Sequence, residues 1–345
     1  MFFQKSVNVK KNVSLKPLHT FALEAKANYL YHWEKMARLP VLLNAIEQYD
    51  RVQFLGAGSN TLFLKDFDGL VVHVNTKGIQ PKSIGNDQIL LTVAAGEKWN
   101  TFVQYCVAQG WYGLENLTLI PGSVGATPVQ NIGAYGVEAK NFITRVFGVD
   151  IRTRQNFVLD AIDCCFAYRQ SIFKKQEFRN YLITAVEFKL STKFEPQLSY
   201  GNLEQVVKEI AGYESINARH VTNAVRQIRM AKLPNPSIIP NAGSFFMNPT
   251  VSAQQASILL QKYPEMPHFE YPDHTCKLAA GWLIDKAGLK GITQGGVAMH
   301  DQQALVMVNQ NNATAQDVLA LKDLVQQKVF QKFGVMLEPE PVFVQ

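Results

Sequence analysis

Apolar residues at Trp99, Phe102, Val103, Cys106 and Val107 fall at i, i+3, i+4, i+7 and i+8. Polar residues fill most of the gaps, so the pattern predicts one buried face of a helix over 98–109, stopped by Gly110 as a C-terminal glycine cap. Val221, Ala224, Val225 and Ile228 repeat the spacing and predict a helix that carries Arg226 and Arg229 and breaks at Pro234, just after Lys232. Ser252 with Gln255 reads as a capping box for a helix ending before Pro264. Thr314 with Asp317 caps another, whose stripe is Val318, Leu321, Val325 and Val329 and whose closing residue is Gly334. Between residues 23 and 75 short apolar runs alternate with turns: FALEAKANYLYHW, a helix-like stretch near 41–48, the strand RVQFL and the strand GLVVHVN. This predicts a small α/β lobe. ILLTVAAG, FITRVFGVDIRT and YLITAVEFKLS are further strand-like runs, and neither an internal repeat nor a low-complexity linker interrupts the chain.

Two stretches break the pattern. From Leu119 to Glu138 the chain reads LIPGSVGATPVQNIGAYGVE, with Gly122, Gly125, Gly133 and Gly136 interleaved with Ser123, Thr127, Gln130 and Asn131 and no Lys or Arg. Such a segment makes a poor helix and a poor strand, but glycine lets backbone N–H groups turn together toward one bound anion. Phe54 to Asn60 reads FLGAGSN, again glycine beside hydroxyl and amide after a short apolar run. Gly56-Ala57-Gly58 does not open a dinucleotide fingerprint, because the third glycine position holds Thr61. The expectation is two phosphate cradles serving a dinucleotide extended between two small lobes.

Composition narrows the class. A chain of 345 residues, 47% hydrophobic and 18% charged, has room for two or three domains with proper cores and does not resemble a disordered chain. The net charge of +6, from 34 basic and 28 acidic residues, favours an anionic partner; it does not by itself argue for nucleic acid, and a phosphorylated small molecule satisfies it equally. The opening MFFQKSVNVKKNVS lacks the apolar run of a secretory leader, and no stretch approaches the roughly 20 apolar residues of a membrane span. A cytoplasmic protein without membrane attachment is expected. Cys106, Cys164, Cys165 and Cys276 show no CxxC spacing and read as buried thiols. His274 and Cys276 offer two soft ligands with no partners nearby in sequence, and no metal site is expected.

GAGSN, IPGSVGATPVQNIGAYGVE, YRQSIF at 168–173, KLPNP at 232–236, GSFFMNP at 243–249 and LEPE at 337–340 come in a fixed order. In that order the chain resembles the bacterial UDP-N-acetylenolpyruvoylglucosamine reductase family from LKPLHTF at 15–21 to its end. SYGNL at 199–203 resembles the longer of the family's two classes, which carries a tyrosine loop over the substrate. The resemblance implies an α+β protein: a two-lobed FAD-binding domain of the PCMH type, then a separate α/β substrate-binding domain. The expected divisions are 1–76 and 77–199 for the two lobes, with the PCMH-type region about 23–194, and 200–345 for the substrate domain. It also implies non-covalent FAD, NADPH as hydride donor, a UDP-sugar substrate, and neither nucleic acid nor an obligatory protein partner.

Reducing an enol ether requires a hydride source, a grip on the neighbouring carboxylate and a proton for the adjacent carbon. No side chain supplies hydride, and the resemblance implies that the source would be a flavin held by the two loops. The resemblance assigns the cofactor to Gly56, Gly58, Ser59 and Asn60 and to Pro121, Gly122, Ser123, Gly125, Ala126, Thr127, Gln130, Asn131, Gly133, Tyr135 and Gly136. Arg169 would grip the carboxylate, since guanidinium forms paired bonds to it and stays charged. Ser244 would be the proton donor, with Phe245 and Phe246 shielding it, because neither a GxSxG elbow nor a nearby His base makes it a nucleophile. Glu340 would steady the enolic intermediate or orient a water, although Pro341 follows it and an arginine expected shortly afterwards is absent. Tyr200, Lys232, Asn248 and Lys290 match contacts to the diphosphate and sugar. Two alternatives are a flavin oxidase of the same broad architecture and a non-catalytic nucleotide- or nucleic-acid-binding module.

Overall fold

The computed structural model describes residues 8–345; residues 1–7, the start of the segment expected to lack a leader, lie outside the described residues. The chain forms two compact units. The first comprises the chain through Val13, Ala27–Ala57 and Asp68–Ala231; the second comprises Ser14–Lys26, Gly58–Phe67 and Lys232–Gln345.

In the first unit Lys10–Ser14, Lys26–Trp33, Phe67–Val74 and Val52–Leu55 form a four-stranded sheet in that spatial order. Val52–Leu55 runs parallel to Phe67–Val74, and the short helix Leu39–Ile46 buries Leu42, Leu43, Ala45 and Ile46. A second sheet has five antiparallel strands in the order Asn156–Asp160, Ile143–Asp150, Tyr181–Ser191, Gln88–Ala94 and Ile79–Ser83. Val186 sits in register between Val146 and Val93, and all three are fully buried, as side-chain alternation on one covered face requires. Helix Trp99–Gln109 presents Trp99 and Phe102 to Phe188, at centroid distances of 5.8 and 5.3 Å, and Gly110 ends it in the left-handed conformation at φ 74°. Four of its five stripe residues are buried and Val107 is half-buried.

Helices Leu203–Ala211 and Ala218–Lys232 bury Leu203, Val206, Val207, Val221, Ala224, Val225 and Ile228 against one another and against Tyr135, Phe194 and Leu198. That packing carries the first unit to Ala231, past residue 200, where the sequence reading starts the substrate domain.

The second unit holds the sheet Asn241–Ser244, Val306–Asn309, Val297–Met299, Thr293–Gln294 and a smaller one of Thr250–Val251, Cys276–Leu278 and His268–Glu270. Val342–Val344 pairs in parallel with Thr61–Phe63. Helix Ala253–Lys262 is capped by Ser252, which accepts the Gln255 N–H at 3.3 Å; the Gln255 side chain completes no box but donates to the Gly334 carbonyl at 3.0 Å. Helix Ala315–Phe333 has both halves of its capping box, buries the expected stripe and closes at Gly334 with φ 67°. Among the described residues no helix is long and apolar enough to cross a membrane. Of the four cysteines expected to be buried, Cys165 is instead exposed: it occupies a left-handed turn position at φ 47° whose side chain points outward, whereas Cys164 beside it is fully buried.

Candidate active site

The segment 119–138 forms only short elements, a 3-10 turn at Val124–Ala126, one helical turn at Thr127–Gln130 and the paired strands Gly133–Ala134 and Val137–Glu138, and it is built into the first unit. It is bonded edge-on to the turn between strand Gln88–Ala94 and helix Trp99–Gln109: Trp99 N–H donates to the Gly122 carbonyl (3.1 Å), Val124 N–H to Glu97 (2.9 Å) and Gly125 N–H to Ala95 (2.8 Å). Leu119 adopts φ 62° and donates its N–H to Asn100 Oδ1 at 2.7 Å. A Cβ on Gly125 would lie 2.7 Å from Ala95 Cβ, and one on Gly56 would lie 2.4 Å from Ser123 Oγ. The first part of the GAGSN loop therefore abuts the long glycine segment; at Gly125, where the opposing atoms are a Cβ and backbone, only glycine permits the approach, whereas the Ser123 hydroxyl facing Gly56 can rotate.

Side chains in this segment divide into those committed internally and those that are not. Asn131, fully buried at φ 41°, donates to Glu138 Oε2 and the Ala167 carbonyl at 2.9 Å each and accepts the Lys140 N–H at 3.0 Å. Thr127 donates to the Val124 carbonyl at 2.7 Å. These bonds shape the loop. Gln130 differs: its Oε1 is buried without a hydrogen-bond partner, the state of an acceptor awaiting a donor.

Arg169 lies in the tight turn Ala167–Gln170 at φ 53°. Its Nη2 donates to the Gly133 carbonyl at 3.1 Å, its guanidinium lies 5.3 Å from the Tyr168 ring centre, and Lys174 Nζ donates to its carbonyl at 2.6 Å. Ser171 ties the same turn to the Val129 carbonyl at 2.9 Å. YRQSIF is thus brought onto the glycine segment. A residue the sequence reading did not assign, Arg229, joins this cluster from helix Ala218–Lys232. Its Nε is shielded and has no hydrogen-bond partner, and burial, then the nearby Arg169 charge, draws its pKa down while Tyr135 opposes the shift. The available signal was positional, since Arg229 follows Val225 by four residues and borders the apolar stripe. Tyr135 and Gly136 form the hairpin turn between Gly133–Ala134 and Val137–Glu138 at φ 49° and 81°. The exposed Tyr200 ring stands edge-on to Tyr135 at 5.9 Å.

Within the second unit, Gly58 at φ 62° approaches the Leu18 carbonyl so closely that a Cβ would lie 2.1 Å from it, and its own carbonyl accepts the Thr20 N–H at 3.1 Å. Ser244 ends strand Asn241–Ser244 in register with Val306, just after Gly243 at φ 73°. Phe245 and Phe246 behind it are fully buried, with rings 5.2 Å apart. The Glu340 N–H donates to the Phe245 carbonyl at 2.9 Å, and Asn60 Nδ2 donates to the Glu340 carbonyl at 3.1 Å. These bonds bring Glu340 beside the residue that follows Ser244 and fix its backbone on both sides. Pro341 is buried and leads into Val342–Val344, whose first N–H bonds the Asn60 carbonyl at 2.9 Å. Pro341 thus follows a Glu340 whose N–H and carbonyl are both engaged. Asn60, assigned from the resemblance to the cofactor, gives its side-chain donor to Glu340 here.

Asn248 accepts the Ala280 N–H at 2.9 Å, capping helix Ala280–Lys286, so donation is what its side chain offers a ligand. Lys232 and Lys290 are exposed, at the end of one helix and in the turn after another. His274 lies in a left-handed turn and Cys276 in a strand; among the described residues no three His, Cys, Asp or Glu side chains cluster as metal ligands would.

Residues 34–156 match the family described as FAD binding domain, and residues 234–344 match that described as UDP-N-acetylenolpyruvoylglucosamine reductase, C-terminal domain. A reductase from Neisseria gonorrhoeae bearing the second name is 47% identical over 96% of each chain. One from Chromobacterium violaceum is 44% identical over 98% of this chain and all of its own. The crystal structure of a Thermus caldophilus protein of the same name superposes with a TM-score of 0.68 over 98% of this chain and 99% of that one; at 24% identity it shows the fold. The flavin-binding domain and its relatives place the molecule among FAD-dependent oxidoreductases, with the expected PCMH-type domain followed by a distinct C-terminal domain. More particularly, the chain belongs to the UDP-N-acetylenolpyruvoylglucosamine reductase family.

Proposed function

We propose that this protein uses NADPH to reduce the enolpyruvyl group of UDP-N-acetylglucosamine enolpyruvate, giving UDP-N-acetylmuramate for peptidoglycan synthesis in the cytoplasm, without an obligatory protein partner. In this reading residues 1–76 and 77–199 serve the flavin and residues 200–345 the substrate, a functional division that differs from the division into compact units. The observation that carries it is the bond from the Glu340 N–H to the Phe245 carbonyl, which holds a carboxylate and the Ser244 hydroxyl on adjoining backbone in front of two buried rings.

The glycine segment fits FAD: Gly125 allows an approach that any Cβ would block, and Gln130 Oε1 is a buried acceptor in need of an N–H or O–H. When bound, the flavin carries hydride from the nicotinamide to the substrate. Arg169, already aimed at the glycine segment through Gly133, grips the substrate carboxylate on which negative charge builds. Ser244 donates a proton to the carbon next to the one that receives hydride, and Glu340 steadies the enolic intermediate or orients a water. Phe245 and Phe246 keep bulk water from competing for that proton. Tyr200, Lys232, Asn248 and Lys290 hold the diphosphate and sugar, the lysines as charges and Asn248 as a donor.

The test is anaerobic reduction followed by reoxidation. The purified protein should be yellow, bleach with NADPH, and regain its colour far faster with the enolpyruvyl sugar nucleotide than with air. Comparable rates would favour an oxidase, and colourless protein that takes up no flavin would favour a binding module.

A further inference from the structure

Asn116 is 2% exposed, in the middle of the turn Glu115–Leu117. The turn is pinned on both flanks: Glu115 accepts the Gly113 N–H with both carboxylate oxygens, at 3.1 and 2.9 Å, and Leu117 accepts the Trp99 indole N–H at 3.0 Å. From this fixed mount Asn116 Nδ2 donates twice, to the Tyr135 carbonyl at 2.9 Å and to the Gln197 carbonyl at 2.8 Å. The two acceptors lie 19 and 81 residues along the chain, and they join different parts of the site. Tyr135 is the left-handed residue of the glycine segment's hairpin, a conformation that persists in a tyrosine only when its surroundings impose it. Gln197 lies three residues before Tyr200, in a stretch from 194 to 199 without helix or strand, where Phe194 and Leu198 rest on the helix pair.

We propose that Asn116 is a positioning residue for Tyr200; the inference rests on the reading of Tyr200 as a contact to the sugar nucleotide. One amide holds both partners of the Tyr135–Tyr200 pair, the first by its own carbonyl and the second through Gln197. Tyr200 is exposed and stands on an irregular segment, so an anchor at Gln197 removes chain freedom that substrate binding would otherwise have to remove. Asn116 acts through this tie; the Tyr135 turn is also held by the pairing of Gly133 with Glu138 and of Ala134 with Val137, so loss of the tie falls chiefly on the Gln197 segment.

Asn116→Asp keeps the side chain's shape and lacks its donors; Asn116→Leu removes the polar group. Both variants should retain flavin and bleach with NADPH at close to the parent rate. Their KM for the enolpyruvyl sugar nucleotide should rise about tenfold with kcat within about twofold, the scale of one or two lost hydrogen bonds. Tyr200→Ala should raise KM as well, and adding Asn116→Asp to it should change KM little further. Chymotrypsin should cut after Tyr200 faster in Asn116→Asp than in the parent. An unchanged KM, an effect that adds fully to that of Tyr200→Ala, or loss of flavin and kcat together in both variants would overturn the proposal. If Tyr200→Ala leaves KM unaltered, the reading of Tyr200 fails instead, and the cleavage rate still decides whether Asn116 holds that segment.

Discussion

Gly125→Ala adds one methyl where there is no room for it. Its Cβ would lie 2.7 Å from Ala95 Cβ and 3.2 Å from both Ala95 Cα and the Ala95 carbonyl oxygen, and none of these atoms can rotate aside. Ala95 is itself 2% exposed, with its N–H bonded to the Thr184 carbonyl at 2.9 Å and its carbonyl to the Gly125 N–H at 2.8 Å. Relief therefore requires moving the glycine segment off the turn that carries it, at about 1–3 kcal/mol, the usual cost of overpacking a tight contact. If that movement is spent in the cradle, the FAD dissociation constant should rise by about 5- to 150-fold. Quenching of flavin fluorescence on titration into apoprotein measures this directly, and thermal melts with and without FAD separate cradle damage from general destabilisation. Ala95→Gly supplies the control: placed in the Gly125→Ala background it removes the opposing methyl and should recover a large part of the lost affinity, a coupling of about 0.5–3 kcal/mol. Parent-like affinity in Gly125→Ala, or no recovery in the double variant, would show that the close approach at Ala95 does not shape the cofactor site.

Ser244→Ala should bind FAD, bleach with NADPH near the parent rate and then reoxidise about 10²- to 10⁴-fold more slowly with the enolpyruvyl substrate, as read by stopped-flow absorbance; normal reoxidation would remove Ser244 from the mechanism. The segment Ile120 to Glu138 has neither His nor Cys, and Cys106 nearby is fully buried with its thiol pKa pushed up by burial, so acid precipitation should release all the flavin into the supernatant. His32 and His73 meet with Nδ1 atoms 2.9 Å apart, and burial chiefly, with nearby Lys10 for His32 and with His32 and Lys77 for His73, lowers both pKa values against the opposing Glu34. The unfolded chain then binds protons that the folded one refuses, so stability should fall as pH drops below about 6.5, and His73→Gln should flatten that part of a melting-temperature profile.

What the sequence disclosed was local. The stripe of helix Trp99–Gln109, its Gly110 cap, the Thr314–Asp317 capping box and the Gly334 stop are each written within one or two helical turns, where spacing and backbone chemistry decide the outcome. The two glycine loops were equally visible, because glycine density has a direct conformational meaning. Asn60 was recognised through its motif, but its bond to Glu340 spans 280 residues and has no local trace. Asn131 was likewise recognised through its motif, while its bonds with Glu138, Ala167 and Lys140 join partners that only tertiary folding brings together. Cys165 was misread because adjacent cysteines share a sequence environment, while a left-handed turn sends one side chain inward and the other out. Arg229 escaped because a single charge bordering an apolar stripe is ordinarily a solvated edge residue.

The parallel pairing of Val342–Val344 with Thr61–Phe63 bears on the order in which the molecule can be made. Phe21, Leu23 and Leu62 bury themselves in a core whose other members, from Ala242 to Leu337, are translated long afterwards. On the ribosome those early side chains have no native partners, whereas the antiparallel strands Ile143–Asp150 and Tyr181–Ser191 find each other within one short stretch of synthesis. The first unit's larger sheet can thus form while the chain is still emerging, and the second unit must wait for contacts of very long sequence separation, which are slow to close. Throughout that interval the nascent chain displays aromatic and aliphatic side chains that chaperones bind, and the backbone that holds Glu340 comes into being only when the final strand docks.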